Sequence, residues 1–155
     1  SSASVACSTA CSGSSGTHGG LVAGFLGNHI RIPITGIGVS RDTDQQAPLV
    51  LKEAQAVVDL LGLRFTVPAD AVQCIGGFWQ PKYSVPNAMM VEAVQQAART
   101  EGLLLDPVYT GKVMAGLIGL ARRGEIAANE RVLFIHTGGL PALHAYERVV
   151  LGDAP

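Results

Sequence analysis

Apolar and polar positions along the chain fall into blocks with two different periods. Between 48 and 61, Leu49, Val50, Ala54, Val57, Val58 and Leu61 lie on one helical stripe, with Lys52, Glu53 and Gln55 elsewhere. The apolar run Leu21-Val22-Ala23-Gly24-Phe25-Leu26 predicts a helix over 17–27, with Thr17 as its N-cap. Further helices are predicted over 87–101, stopped by Gly102, and over 112–123, stopped by Gly124. Pro141 opens a last short one. Apolar runs at 34–40, 72–78 and 131–136 read as strands, whereas the Ser-rich residues 1–10 offer at most a strand end over 4–7. Strands alternate with helices, so the expected class is α/β, a mostly parallel twisted sheet with flanking helices. In such sheets ligands sit at the carboxyl ends of the strands.

Composition adds two constraints. The chain has 155 residues, read as a single segment 1–155, of which 48% are hydrophobic and only 15% charged. Soluble domains average about 25% charged, and the mean hydropathy here is +0.32. No apolar run reaches the roughly 18 residues of a membrane span, so a large covered interface is the expected reason for the apolar balance. A net charge of −1, scattered basic residues and 5% aromatics argue against nucleic acid. Cys7, Cys11 and Cys74 are an odd count without metal-ligand spacing, read as reduced, mostly buried thiols of a cytoplasmic protein. No secretory leader pattern is visible, and no metal is expected.

Candidate chemistry concentrates in residues 11–20, where Ser12-Gly13-Ser14-Ser15-Gly16-Thr17 precedes the first predicted helix. Glycines permit close backbone approach, and a helix start offers unpaired N–H groups to an anion. The stretch therefore reads either as a phosphate cradle or as a flexible linker or tag remnant. Two more turns of this kind are Tyr109-Thr110-Gly111 and Thr137-Gly138-Gly139, and their convergence on one site stands beside their reading as ordinary βα turns. The loop over 76–87, with two prolines and three aromatics, reads as a lid, an interface or plain surface packing. Gly36-x-Gly38 lacks the third glycine of a dinucleotide fingerprint, Gly111-Lys112 lacks the Walker context, and no GxSxG elbow occurs. His18, His136 and His144 read as structural.

The stretch 12–21 resembles the phosphate loop of the D-cysteine desulfhydrase/1-aminocyclopropane-1-carboxylate deaminase family, fold-type II pyridoxal-phosphate enzymes. Tyr83-Ser84-Val85-Pro86-Asn87, the run 104–112 and the run 134–143 resemble three further blocks of that family, in order. The resemblance implies pyridoxal 5'-phosphate as cofactor, with Ser12, Gly13, Ser14, Ser15, Gly16 and Thr17 around its phosphate. It places Tyr109 on the ring face, with a hydroxyl able to share in proton transfer, and Thr137, next to Gly138, at the pyridine nitrogen. A hydroxyl there makes a weaker electron sink than a carboxylate would, which suits β-elimination. The deaminase branch carries Glu where this chain has Thr110 and Leu where it has Thr137. Tyr109 and Thr110 are accordingly the expected catalytic residues.

The favoured substrate is a small sulfur-bearing amino acid such as D-cysteine, giving pyruvate, ammonia and sulfide. L-cysteate and the cyclopropane amino acid are the alternatives. Family members are about twice as long, and their cofactor-linked lysine lies before the phosphate loop. Here only Lys52, Lys82 and Lys112 exist, none in that context, and the Ser-rich start stands where an apolar strand is expected. The chain is thus expected to be a carboxyl-terminal half. It would work with an amino-terminal half or companion chain in a homodimer or heteromeric assembly. The reading from another class is a phosphate-holding body without catalysis, and a weaker one a purely structural subunit.

Overall fold

The computed structural model describes residues 5–152. Its elements in order are β1 (Val5–Ser12), α1 (Gly16–Gly27), β2 (Ile34–Gly38), α2 (Thr43–Leu60), a 3-10 turn (Ala69–Ala71), β3 (Gln73–Ile75), α3 (Ala88–Glu101), α4 (Thr110–Arg122), β4 (Arg131–Phe134), α5 (Pro141–Ala145) and α6 (Glu147–Leu151). The four strands form one parallel sheet in the order β3-β2-β1-β4.

Two apolar layers sandwich that sheet. On one side Val22, Ala23, Ile34, Ala54 and Val58 join α1 and α2 to β2. On the other Cys11, Ile37, Val39, Ala93 and Val113 join α3 and α4 to β1 and β2. Met90, Val94, Leu105 and Val150 form a third cluster that seats α6 against α3. Alternation along β2 explains the division, since Ile34 and Ile37 point to opposite faces.

Several expectations change. Within the described residues the Ser-rich start, from Val5 on, does not replace the strand before the loop: it is that strand, and it is central, pairing with both β2 and β4. Its buried side chains are small, and the hydroxyls of Ser8 and Ser12 find partners there, whereas that of Thr9 has none. Ser8, Thr9 and Ser12 are fully buried, and the Ser8 hydroxyl donates to the Pro33 carbonyl. Ser4, where the expected strand end began, lies outside the described residues. Helix α1 begins at Gly16 with Ser15 at the N-cap position, so Thr17 is inside the first turn rather than capping it. Helix α2 starts at Thr43, and Pro48 lies within it. Strand β3 is shorter than its apolar run, because the Gly76-Gly77 turn ends it. Among the described residues no helix is long and apolar enough to cross a membrane.

Candidate cofactor site

In a parallel sheet of this order, the connections from β1 and β3 leave in opposite directions. A crevice therefore opens at the carboxyl ends of the neighbouring strands β1 and β4. A cleft of about 500 Å³ lies there, lined by Gly13, Ser14, Ser15 and Thr17 after β1 and by Ser40 and Arg41 after β2. Tyr83, Tyr109, Thr137 and Cys11 complete it. The three Gly/hydroxyl turns do converge.

A buried glutamine holds the first turn. Gln46 is fully buried, and its Nε2 donates to Ser12 Oγ (3.0 Å), Gly13 O (3.2 Å) and Ser15 Oγ (3.1 Å). Ser15 sits at φ 75°, in the left-handed region that costs a side chain something, and its bonded hydroxyl helps hold it there. The turn leads into α1, whose first intrahelical bond runs from Gly19 N to Ser15 O. The amides of Gly16, Thr17 and His18 are therefore left without helical partners, at the positive end of the helix. Ser14 and Thr17 stay exposed at the mouth, while Ser12 and Ser15 are turned inward. Uncharged donors in a rigid turn at a helix start fit a phosphate monoester. Of the expected cradle residues, Ser12 and Gly16 do not line the cleft, and Ser12 supports the turn from behind.

Behind Ser12 lies His18, fully buried, with Nδ1 3.0 Å from Ser12 Oγ. Since Gln46 donates to Ser12, the Ser12 hydroxyl is free to donate to His18. Burial pulls the His18 pKa from 6.5 to about 4, with the Ile34 backbone acting weakly the other way. An unfolded chain therefore takes up this proton first as pH falls. Stability from this group should be intact above about pH 6.5, decline between 6.5 and 4, and level off below, a loss of about 3 kcal/mol. Urea midpoints across that window should fall more steeply for the native chain than for His18→Gln. Parallel slopes would contradict the assignment.

The ring-face side rests on Asp106, fully buried before α4. Its Oδ2 accepts from Val108 N and Tyr109 N, both at 2.8 Å, and its Oδ1 from Thr110 N (2.8 Å) and Thr110 Oγ1 (2.7 Å). The Thr110 hydroxyl also accepts from Asp106 N. Thr110, expected to be catalytic, is thus fully buried and spends its hydroxyl on this cap, outside the cleft lining. The family resemblance implied otherwise. Tyr109 is held with its hydroxyl bonded to that of Tyr83, ring centroids 6.0 Å apart. That bond first, then partial burial and neighbouring acidic groups, pushes its pKa up to about 12, so the phenol stays protonated at neutral pH. The Cys11 thiol is likewise pushed up to about 12, by burial above all and by Asp106.

Thr137 follows β4 and lines the cleft, whereas Gly138 does not. His136 fixes their turn: Gly138 N donates to its Nδ1 (3.1 Å), and its Nε2 donates to Leu104 O (3.1 Å). The loop over 76–87 is a pinned wall. Trp79 Nε1 donates to Asp42 (2.9 Å), Asn87 Nδ2 to Phe78 O and Gln80 O, and Tyr146 Oη to Ser84 O. Lys112, also fully buried, donates its Nζ to Trp79 O (2.9 Å) and Lys82 O (3.3 Å), and burial lowers its pKa. Lys52 and Lys82 are exposed, and no lysine lines the cleft.

Sequence reasoning missed Arg41, Gln46, Asp106 and Tyr83 as site residues. Only Tyr83 and Asp106 carried a signal, lying inside the family-like blocks. The three cysteines are free, and no group of three or more His, Cys, Asp or Glu among the described residues forms a metal cluster.

The chain is also similar to known proteins. A family model described as pyridoxal-phosphate dependent enzyme matches residues 3–138. The chain is 42% identical over 135 residues to a D-cysteine desulfhydrase of Yersinia pestis (strain Pestoides F), covering 87% of this chain and 40% of that protein. A D-cysteine desulfhydrase of Salmonella paratyphi C (strain RKS4594) is 44% identical over the same length and shares. The chain thus spans about two fifths of the curated relatives it matches. A crystal structure of an ACC deaminase homologue superposes with a TM-score of 0.79 at 32% identity, covering 97% of this chain and 45% of that one.

Proposed function

The chain belongs to the family of pyridoxal-phosphate dependent enzymes, and on that premise we propose that it is the cofactor-holding part of a cytoplasmic β-eliminating lyase. The substrate is a small sulfur-bearing amino acid, D-cysteine first. The observation that carries this reading is the convergence of the cradle turn, Tyr109 and Thr137 on one cleft.

When bound, pyridoxal phosphate supplies the electron sink for loss of a β-substituent. This chain's residues do the rest by position. Gly13 to Thr17 offer amides and hydroxyls to the phosphate. Thr137 offers a neutral hydroxyl to the pyridine nitrogen. Tyr109 presents a ring face and a protonated hydroxyl coupled to Tyr83, so a proton can be held or passed at that oxygen. Thr110 favours the desulfhydrase reading over the deaminase one. A glutamate in its place would set a second carboxylate against Asp106 in a buried site, and like charges there are costly.

What the cleft lacks is a lysine. Lys112 is tied to two carbonyls, and Lys52 and Lys82 are exposed. The covalent partner therefore comes from an amino-terminal half or a companion chain. Large exposed side chains such as Leu60, Leu61, Leu104 and Leu151 are available to the covering surface. By itself the chain is a phosphate-holding body without turnover.

The test is product formation after this chain is joined to such a half. Pyruvate is expected from D-cysteine, with L-cysteate as the alternative sulfur substrate. Turnover confined to the cyclopropane amino acid would overturn the assignment.

A further inference from the structure

Among the described residues, Arg41 is the one charged side chain lining the cleft. Its Nη1 donates to Gly13 O (3.0 Å) and lies 3.4 Å from both Ser40 Oγ and Gln46 Oε1. Among the described residues no hydrogen bond engages its Nη2 or Nε, and no carboxylate pairs with it, whereas Arg122 pairs with Glu92 and Arg123 with Glu125. Asp42, its neighbour in sequence, accepts from Trp79 instead. A guanidinium is always charged, and a partly buried charge without an opposite one is unfavourable.

Its position narrows the choice of anion. Both anchors belong to the cradle: Gly13 is part of the turn, and Gln46 is bonded to Ser12 and Ser15. Among the described residues no hydrogen bond joins either anchor to Tyr109 or Thr137. We propose that Arg41 is the cationic ligand of the phosphate monoester in the cradle, adding charge to a site otherwise built of amides and hydroxyls. This rests on the cofactor reading above and deepens it.

The experiment uses the full chain with pyridoxamine 5'-phosphate, which needs no lysine, and with pyridoxamine, which has no phosphate. Calorimetry should show Arg41→Gln weakening the phosphate ligand roughly tenfold or more, the scale of a lost charge-assisted bond. Pyridoxamine binding should be unchanged and the salt dependence of the phosphate ligand flatter. Arg41→Lys should keep part of the affinity. By phosphorus NMR the bound phosphate should lose its last proton at lower pH than the free ligand, because a guanidinium favours the dianion. Arg41→Gln should move that titration back.

Equal losses for both ligands, or no change in either readout, would overturn the proposal and leave the cofactor site intact. The wild-type phosphorus titration decides even if Arg41→Gln fails to fold, since an unshifted value refutes the contact. A folded wild-type chain that does not bind pyridoxamine 5'-phosphate would instead overturn the cofactor reading, and this proposal with it.

Discussion

Asp106→Asn is expected to destabilise the chain by roughly 3–5 kcal/mol, in the range for breaking a buried charged cluster. Each carboxylate oxygen accepts two bonds, Oδ2 from Val108 N and Tyr109 N, Oδ1 from Thr110 N and its hydroxyl. An amide has only one acceptor oxygen. Whichever way it is placed, its NH₂ faces two groups that now donate to the carboxylate, and buried N–H groups are left unpaired. The same carboxylate packs under the β4 turn, for a Cβ added at Gly139 (φ +95°) would lie 2.6 Å from Asp106 Cγ. One substitution therefore loosens both the Tyr109 and the Thr137 sides of the cleft. Denaturant unfolding with an unchanged slope should show the loss. A change below about 1 kcal/mol would mean that the cap is not the anchor of α4.

Gly36→Ala is expected to cost as much or to abolish folding, although it adds a single methyl. Its Cβ would lie 2.2 Å from His18 Nδ1, 2.3 Å from His18 Cε1 and 2.9 Å from Ser12 Cβ. His18 is fully buried, so its ring has no free space to enter. Moving it breaks the Ser12–His18 bond and disturbs the cradle that Gln46 ties to Ser12. Overpacking of a core typically costs about 1–3 kcal/mol, and the broken polar network adds to that. Gly24→Ala in α1 is the control. Nothing lies within 4 Å of its Cβ, and an alanine in a helix interior should stabilise by about 0.5–1 kcal/mol. Thermal melts of the two variants should move in opposite directions. Equal shifts would refute the packing account.

The fold was largely legible wherever apolar periodicity was strong, as in α2, α3 and β4. It failed where small polar residues do a strand's work. Ser8 and Thr9 lie in a stretch too Ser-rich to assign beyond a strand end, and Ser12 read as cradle; all three are buried in the central strand, Ser8 and Ser12 with hydroxyl partners and Thr9 without one. The start of α2 was hidden because Thr43 to Gln46 are polar and Pro48 resembles a first-turn residue. Gly36-x-Gly38 lacked a complete motif, and the use of Gly36, room for His18, appears only when β2 and α1 are packed. The three turns that line the cleft could be picked out because each lies in a contiguous block. Arg41 and Gln46 could not, since their role depends on contacts 28 to 34 positions away. Thr110 illustrates the converse, a residue in a telling block whose hydroxyl serves the cap.

The central proposal is that this chain supplies the phosphate, ring-face and pyridine-nitrogen contacts of the cofactor site and not the covalent one. Borohydride reduction with pyridoxal phosphate, followed by intact mass and peptide mapping, tests it on the chain alone and on the chain joined to its amino-terminal counterpart. The expected result is a stoichiometric adduct in the joined enzyme, mapping wholly to the added half, and none on this chain. A stoichiometric adduct on Lys52, Lys82 or Lys112 would contradict the account.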